Sequence, residues 1–391
     1  MLYLVMQNFK FNNKSKIIFG KNDESVIAEE IKSLGAKKVM IHYGMNSIVK
    51  SGLLGRIQSA LDNAKIKYIK FGGVKANPTK THAIKGVEIA RKNKVDFVLA
   101  VGGGSVIDSA KAICAGAVNK DIWTYYINAE KAKTLTAALP LGVVLTIPAA
   151  GSECSTASVL QDDDNLGAKY CLSQPPLRSK FAFINPELCT TLPKEQVAYG
   201  ASDILAHLLE RYFSTDENVV VTDKLLTGAM QAMFEIAPKV YADPTDYQNM
   251  AELCLLGTLA HNGMLNMGRI SQDWGTHQID NTLLSGIKNI AHGAGLAVVF
   301  PAWLKHVAKT KPTKILQFAR EVMGCSSIAD GIAGLEKFYK SLGLATTLKG
   351  VGFDVNEIKG LVKTAFPADI VLGGYGQLSQ SDIESVVVLA R

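Results

Sequence analysis

The sequence predicts an N-terminal doubly wound α/β domain over residues 1–193 and an all-helical domain over residues 194–391. Three observations point there. Short, nearly continuous apolar runs alternate with amphipathic segments through the first half, the pattern of a parallel sheet buried on both faces. After Pro193 long helical periodicities take over and strand-like runs become few. A chain of 391 residues with 48% hydrophobic content is large enough to bury two cores.

The elements follow in order. MLYLVMQNFKFNN lacks the basic start and cleavage site of a secretory leader and reads as an opening strand. Further strands are expected at KIIFG (16–20), KVMIHYG (38–44), IKYIKF (66–71), DFVLAVGGG (96–104), LGVVLTIP (141–148) and KFAFIN (180–185). Amphipathic helices are expected between them, at ESVIAEEIKSLG (24–35) and THAIKGVEIARKN (81–93). NPELCTTLP (185–193) closes the first domain, and Pro193 suits a linker or a first helical turn. Beyond it, VTDKLLTGAMQAMFEIAPKVY and TKILQFAREVMG are typical of what remains.

Composition narrows the partners. No run of 18 uncharged apolar residues occurs, so no membrane span is expected and a cytoplasmic location is. The six cysteines are scattered without a CxxC pair, as suits reduced, packed thiols. Residues 1–100 carry 18 Lys and Arg against 7 Asp and Glu; with an overall charge of +7, the remainder is net −4. This is either a solvated lysine-rich surface or a field that attracts an anionic cofactor, and a 2′-phosphorylated nucleotide fits best. The basic residues are dispersed and lack interleaved aromatics, so nucleic-acid binding is not expected.

Several segments carry chemistry. In LAVGGGSVIDSAK (99–111) an apolar strand runs into Gly102, Gly103 and Gly104 and then a helix start, which exposes amides and a positive dipole end to a phosphate. Ser105 and Asp108 have the spacing of a capping box, so the segment also reads as a plain strand-to-helix turn. TIPAAGSECSTASVL (146–160) is rich in small residues, either to admit a flat ring or to pack tightly. It lacks the GxSxG elbow of a serine hydrolase. On sequence grounds alone Lys169 is an ordinary surface lysine.

The C-terminal half offers Asp203 and His207, four residues apart on one helical face, and His277 and His292 in turn-like contexts. One carboxylate and three imidazoles suit Fe(II) or Zn(II). Asp203 and His207 alone could equally form a surface ion pair. His261 reads as structural, and His42, His82 and His306 as surface or sheet-end residues.

Together these motifs resemble the iron-containing (group III) alcohol dehydrogenases, in particular their butanol-dehydrogenase-like, NADPH-preferring aldehyde reductase branch. KIIFG, NPT (77–79), GGGSVIDSAK, TIPAAGSE, NPELCTTLP, DILAHLLERY, DWGTH and AHGAGLAVVFPAW carry the resemblance over nearly the whole chain. It implies a Rossmann-like domain joined to a helical one, as in dehydroquinate synthase, and Asp203, His207, His277 and His292 as ligands of Fe(II) or Zn(II) between them. It places the pyrophosphate on Gly102–Ser105 near Asp108 and Asn77. Thr146 and the following loop, including Ser152, would line the adenosine and nicotinamide, and Lys169 would reach toward the cofactor. In NAD-dependent relatives an acidic residue follows the second strand; here Gly44, Asn46 and Ser47 stand there, which permits NADP(H) in preference to NAD(H). Relatives also separate the two C-terminal ligands by 14 residues and carry a histidine four residues after the first. Counted as a difference of positions that spacing is 14 in relatives and 292 − 277 = 15 here, one inserted, and Asp280 or Asn281 falls at the histidine's place; Asp280 is therefore the expected substitute proton carrier. The implied activity is hydride transfer between NADP(H) and small neutral aldehydes or primary alcohols, in a homodimer or larger homo-oligomer. Alternatives are a dehydroquinate synthase-like or glycerol dehydrogenase-like metalloenzyme, or a catalytically silent relative that binds nucleotide and metal.

Overall fold

In the computed structural model, residues 6–216 and 218–391 are described. The chain divides into two compact units: residues 13–192, and residues 193–391 together with the described N-terminal residues as far as Asn12.

The first unit holds a six-stranded sheet in the order β1-β8-β5-β4-β2-β3, every pairing parallel. Its strands are β1 (Lys16–Phe19), β2 (Lys38–Tyr43), β3 (Lys67–Phe71), β4 (Phe97–Gly102), β5 (Leu141–Leu145) and β8 (Phe181–Ile184). The central β4, β5 and β8 are buried along their whole length, which is why their sequences are continuous apolar runs instead of alternating ones. Helices cover both faces. On one, α1 (Ser25–Ser33) and α2 (Leu53–Asn63) pack Ile27, Ile31, Ile57 and Leu61 against Val39, Ile41, Leu99 and Phe183. On the other lie α3 (Lys80–Lys92) and α4 (Gly104–Val118), which contribute Ala83, Val87, Ala112 and Ala115 to a second cluster.

A two-stranded antiparallel hairpin, β6 (Ala157–Gln161) and β7 (Lys169–Ser173), stands apart from the sheet. Its strands are short and β7 is mostly exposed, so they leave no apolar run to announce them. The opening strand expected from MLYLVMQNFKFNN is not formed at residues 6–15; residues 1–5 lie outside the described range. The Gln7 amide instead donates to Gly268 O (3.2 Å), which ties this segment to the helical unit.

The second unit is built of α5 (Lys194–Tyr212), α6 (Val220–Ala242), α7 (Tyr247–His261), α8 (Gly275–Ile279), α9 (His292–Val307), α10 (Pro312–Glu321), α11 (Ile328–Ser341), α12 (Val355–Ala365) and α13 (Gln380–Leu389). α5 is its buried axis: from Val197 to Tyr212 nearly every side chain is inaccessible. Between α8 and α9 the chain forms a π-helix, Asp280–Ile287. The Lys288 amide closes it by donating to Leu283 O at 3.1 Å, five residues back. A π turn takes up one more residue than an α turn.

Candidate functional site

The helical unit brings Asp203, His207, His277 and His292 together. Asp203 and His207 are one turn apart on α5, His277 is on α8, and His292 is the first residue of α9. Asp203, His207 and His277 each offer a ligand atom within 4.8 Å of the others. His292 Nε2 and His277 Nε2 each lie 3.7 Å from Asp203 Oδ1. All three imidazoles engage an acceptor through Nδ1: His207 with Asp203 O (2.9 Å), His277 with Glu210 Oε1 (2.9 Å) and His292 with Asp280 Oδ2 (2.5 Å). The Nε2 atoms are thereby left for a common ligand. Asp203 Oδ1 and His277 Nε2 are buried with no hydrogen-bond partner, a costly state that a divalent cation relieves. The residues present therefore fit a metal.

The electrostatics of the histidines differ. Burial, reinforced by His261 and His277, holds His207 well below the usual imidazole range, so it is neutral, the form that ligation requires. Burial opposes a proton on His277 as well, but the carboxylates of Asp203 and Glu210 outweigh it and raise that group to about 9. Glu210 is fully buried and collects four donors: the Trp274 and His277 amides, the Thr276 hydroxyl and His277 Nδ1. Trp274 has left-handed backbone (φ 63°), an unfavourable conformation for a bulky residue. The turn sets its ring edge-on to His277 (5.2 Å) and His207 (5.8 Å), with the Arg211 guanidinium 4.8 Å over the indole.

The α/β unit holds the nucleotide candidates. Because its strands are parallel, their carboxyl ends share one edge. Winding goes one way from β2 to β3 and the other way from β4 onward, so the β2/β4 boundary is a topological switch point, where open α/β sheets bind ligands. Gly44 follows β2, Gly102 ends β4 and Thr146 follows β5. A Cβ on Gly102 would meet Val106 at 2.5 Å, one on Gly44 would lie 3.7 Å from the same valine, and one on Gly103 would meet Ile147 at 2.8 Å. These glycines thus gather three turns into one place.

The expected capping box is absent. α4 starts at Gly104 with Gly103 as its uncapped N-cap residue. Asp108 instead accepts from the Ser152 hydroxyl (2.6 Å) and the Val159 amide (2.9 Å). The helix start therefore carries no side-chain cap. Fully buried Lys111 ties the same region together, donating to Ser152 O, Ser152 Oγ, Ser155 Oγ and Ala157 O at 2.6–3.2 Å. The polar atoms of Ser152 and Asp108, expected near the cofactor, are thus committed to holding the loop. Asn46 and Ser47 are exposed at the start of a short helix, Ser105 is half-buried, Asn77 is buried with φ 54°, and half-buried Lys169 opens β7.

The family model for iron-containing alcohol dehydrogenases matches residues 14–186, and that for the C-terminal part of the same family matches residues 197–390. The chain belongs to the iron-containing alcohol dehydrogenase family. It is accordingly an NAD(P)-dependent oxidoreductase of the alcohol dehydrogenase class. It is 34% identical to a probable NADH-dependent butanol dehydrogenase 1 of Bacillus subtilis, over 99% of both chains. It is 33% identical to the NADPH-dependent aldehyde reductase YqhD of Escherichia coli, over 92% of both. The crystal structure of an NADH-dependent butanol dehydrogenase A from Thermotoga maritima superposes with a TM-score of 0.92 at 36% identity, covering 99% of this chain and all of that one.

Within this alcohol dehydrogenase fold, some residues stand where the sequence did not put them. Asp280, expected as a substitute proton carrier, is fully buried, its carboxylate engaged by His292 Nδ1 and the Ser285 hydroxyl. His261 ends α7 with its ring 4.4 Å from that of His207, inside the cluster. Glu210 was not singled out, although its place three residues after His207 puts it on the ligand face of α5. His42 is not at the surface: it is fully buried, bridging Phe71 O (2.8 Å) and Ser109 Oγ (2.9 Å), and burial lowers it to about 3. Among the described residues no helix is long and apolar enough to cross a membrane.

Proposed function

We propose that this protein is a metal-dependent, NADP(H)-preferring alcohol dehydrogenase and aldehyde reductase acting on small neutral aldehydes and primary alcohols. The observation that carries the reading is the convergence of the His277 and His292 Nε2 atoms on Asp203 Oδ1, with His207 beside them and each ring held through Nδ1. When bound, Fe(II) or Zn(II) would supply Lewis-acid polarisation and the nicotinamide the hydride. Asp203, His207, His277 and His292 would hold the metal. Glu210 keeps His277 in the tautomer with Nε2 unprotonated once ligated, and Trp274 supplies an apolar wall beside the ligands. With Asp280 occupied by His292, we assign proton delivery to solvent water.

Preference for NADP(H) is supported by Gly44, Asn46 and Ser47, none of them anionic, after the strand beside the switch point. The relatives' names divide between NADH and NADPH, so this preference belongs to the chain's own residues. Neutral substrates are supported by the apolar indole and by a site whose nearest cation, Arg211, is buried against it.

The test is anaerobic oxidation of NADPH and of NADH over short aliphatic and aromatic aldehydes, with Fe(II), with Zn(II) and without metal. Turnover that requires metal and favours NADPH is expected. Equal turnover in metal-free protein overturns the metal role, and a preference for NADH overturns the cofactor assignment.

A further inference from the structure

His292 is the weakest-held of the four converging residues. Its side chain is 25% exposed, against 5–8% for Asp203, His207 and His277, and it sits at the first position of α9, where no preceding helical turn confines it. What holds its ring is Asp280, through Nδ1···Oδ2 at 2.5 Å, while Nε2 points at Asp203. Asp280 is itself clamped. The Ser285 hydroxyl donates to the same Oδ2 at 2.5 Å, and Ser285 is fully buried. Asp280 and Ser285 are five residues apart. On an α-helix that spacing puts two side chains on different faces; in the π-helix, whose rungs join residues five apart, they are stacked. The opposite wall is Gly295 on α9, where a Cβ would overlap Asp280 Oδ1.

We propose that the π-helix Asp280–Ile287 exists to present Asp280 as the positioning residue for His292, fixing that ring's orientation and leaving Nε2 as the ligand atom. The inference rests on reading Asp203, His207, His277 and His292 as a metal centre. Asp280 does not touch the metal or substrate; it acts through His292, as Glu210 acts through His277. Removing a carboxylate behind a ligating histidine typically weakens metal binding about 10–100-fold.

Zn(II) affinity, from competition with a chelator, and the visible absorption spectrum of Co(II)-loaded protein are measured for wild type, Asp280→Asn and Asp280→Ala. Circular dichroism verifies folding. Asp280→Ala is expected to lose about 10–100-fold in Zn(II) affinity and to shift the Co(II) bands, because the ring is free to turn. Asp280→Asn keeps an acceptor but not the charge, and is expected to fall between the two with a spectrum close to wild type. Wild-type affinity and spectrum in both variants overturn the positioning role while leaving the metal centre standing. A wild-type protein that takes up neither ion overturns the metal centre itself. Should Asp280→Ala not fold, Asp280→Asn decides: weaker binding supports the role, and unchanged affinity and spectrum overturn it.

Discussion

Gly44 is the residue on which the proposed cofactor preference turns. It follows the second strand, its carbonyl accepts from the Gly73 amide (2.9 Å), and a Cβ there would meet only ordinary contacts, 3.6 Å to Val74 O and 3.7 Å to Val106. A side chain can therefore be added without rebuilding the turn. An aspartate at this point would set a negative charge against a 2′-phosphate and leave a free 2′-hydroxyl unharmed. Gly44→Asp is expected to lower the ratio of kcat/KM for NADPH over NADH at least tenfold, about 1.4 kcal/mol of discrimination. Steady-state kinetics with both cofactors checks it, and an unchanged ratio removes Gly44 from the ribose pocket.

Among elements, α4 and the loop that follows β5 depend on one buried cation. Lys111 has no solvent exposure, and burial lowers it to about 8 against the pull of Asp108 and Glu153. It persists because two carbonyls and two hydroxyls of residues 152–157 accept its protons. Lys111→Met keeps the length of the side chain but strands those acceptors, each at a cost of about 1–3 kcal/mol. A loss of at least about 2 kcal/mol in unfolding free energy is expected, measured by urea denaturation. The loop joining β5 to the hairpin should loosen, with weaker NADPH binding read by fluorescence titration. A variant as stable as wild type shows that the loop does not need this tie.

At the scale of the whole molecule, the proposed metal ligands all come from the unit of residues 193–391 and the glycine turns all from residues 13–192. Metal should therefore protect one set of amides and nucleotide the other. Hydrogen exchange is expected to slow in α5, α8 and the start of α9 on Zn(II) binding, by up to about 2.7 kcal/mol at a hundredfold excess over Kd, with the sheet unchanged. NADPH should slow α4. Metal protection that appears first in the sheet contradicts this division. Much of this plan was legible in the chain because burial writes itself into composition: β4, β5 and β8 are continuous apolar runs, and Asp203 and His207 carry a helical spacing. The rest was not legible, for physical reasons. Glu210 and Asp280 work through tertiary partners 67 and 12 residues away, which no local pattern encodes. A π-helix has no sequence period of its own in so short a stretch. The hairpin of β6 and β7 is too short and polar to show.

The place of β1 has a consequence for how the chain is made. Among the described residues Lys16–Phe19 pairs only with Phe181–Ile184, at the far edge of a sheet whose other strands lie between them in sequence. Closing that pair spans some 165 residues, a long-range contact of the sort that slows folding. During synthesis the first strand to emerge has no partner until the last strand of its unit is out, and Ile17 and Phe19 wait meanwhile without a neighbour. The oldest strand of the sheet is thus the last that can join it, and the basic residues crowded around it, Lys10, Lys14, Lys16 and Lys21, are well placed to keep so long-lived an edge from meeting its own kind.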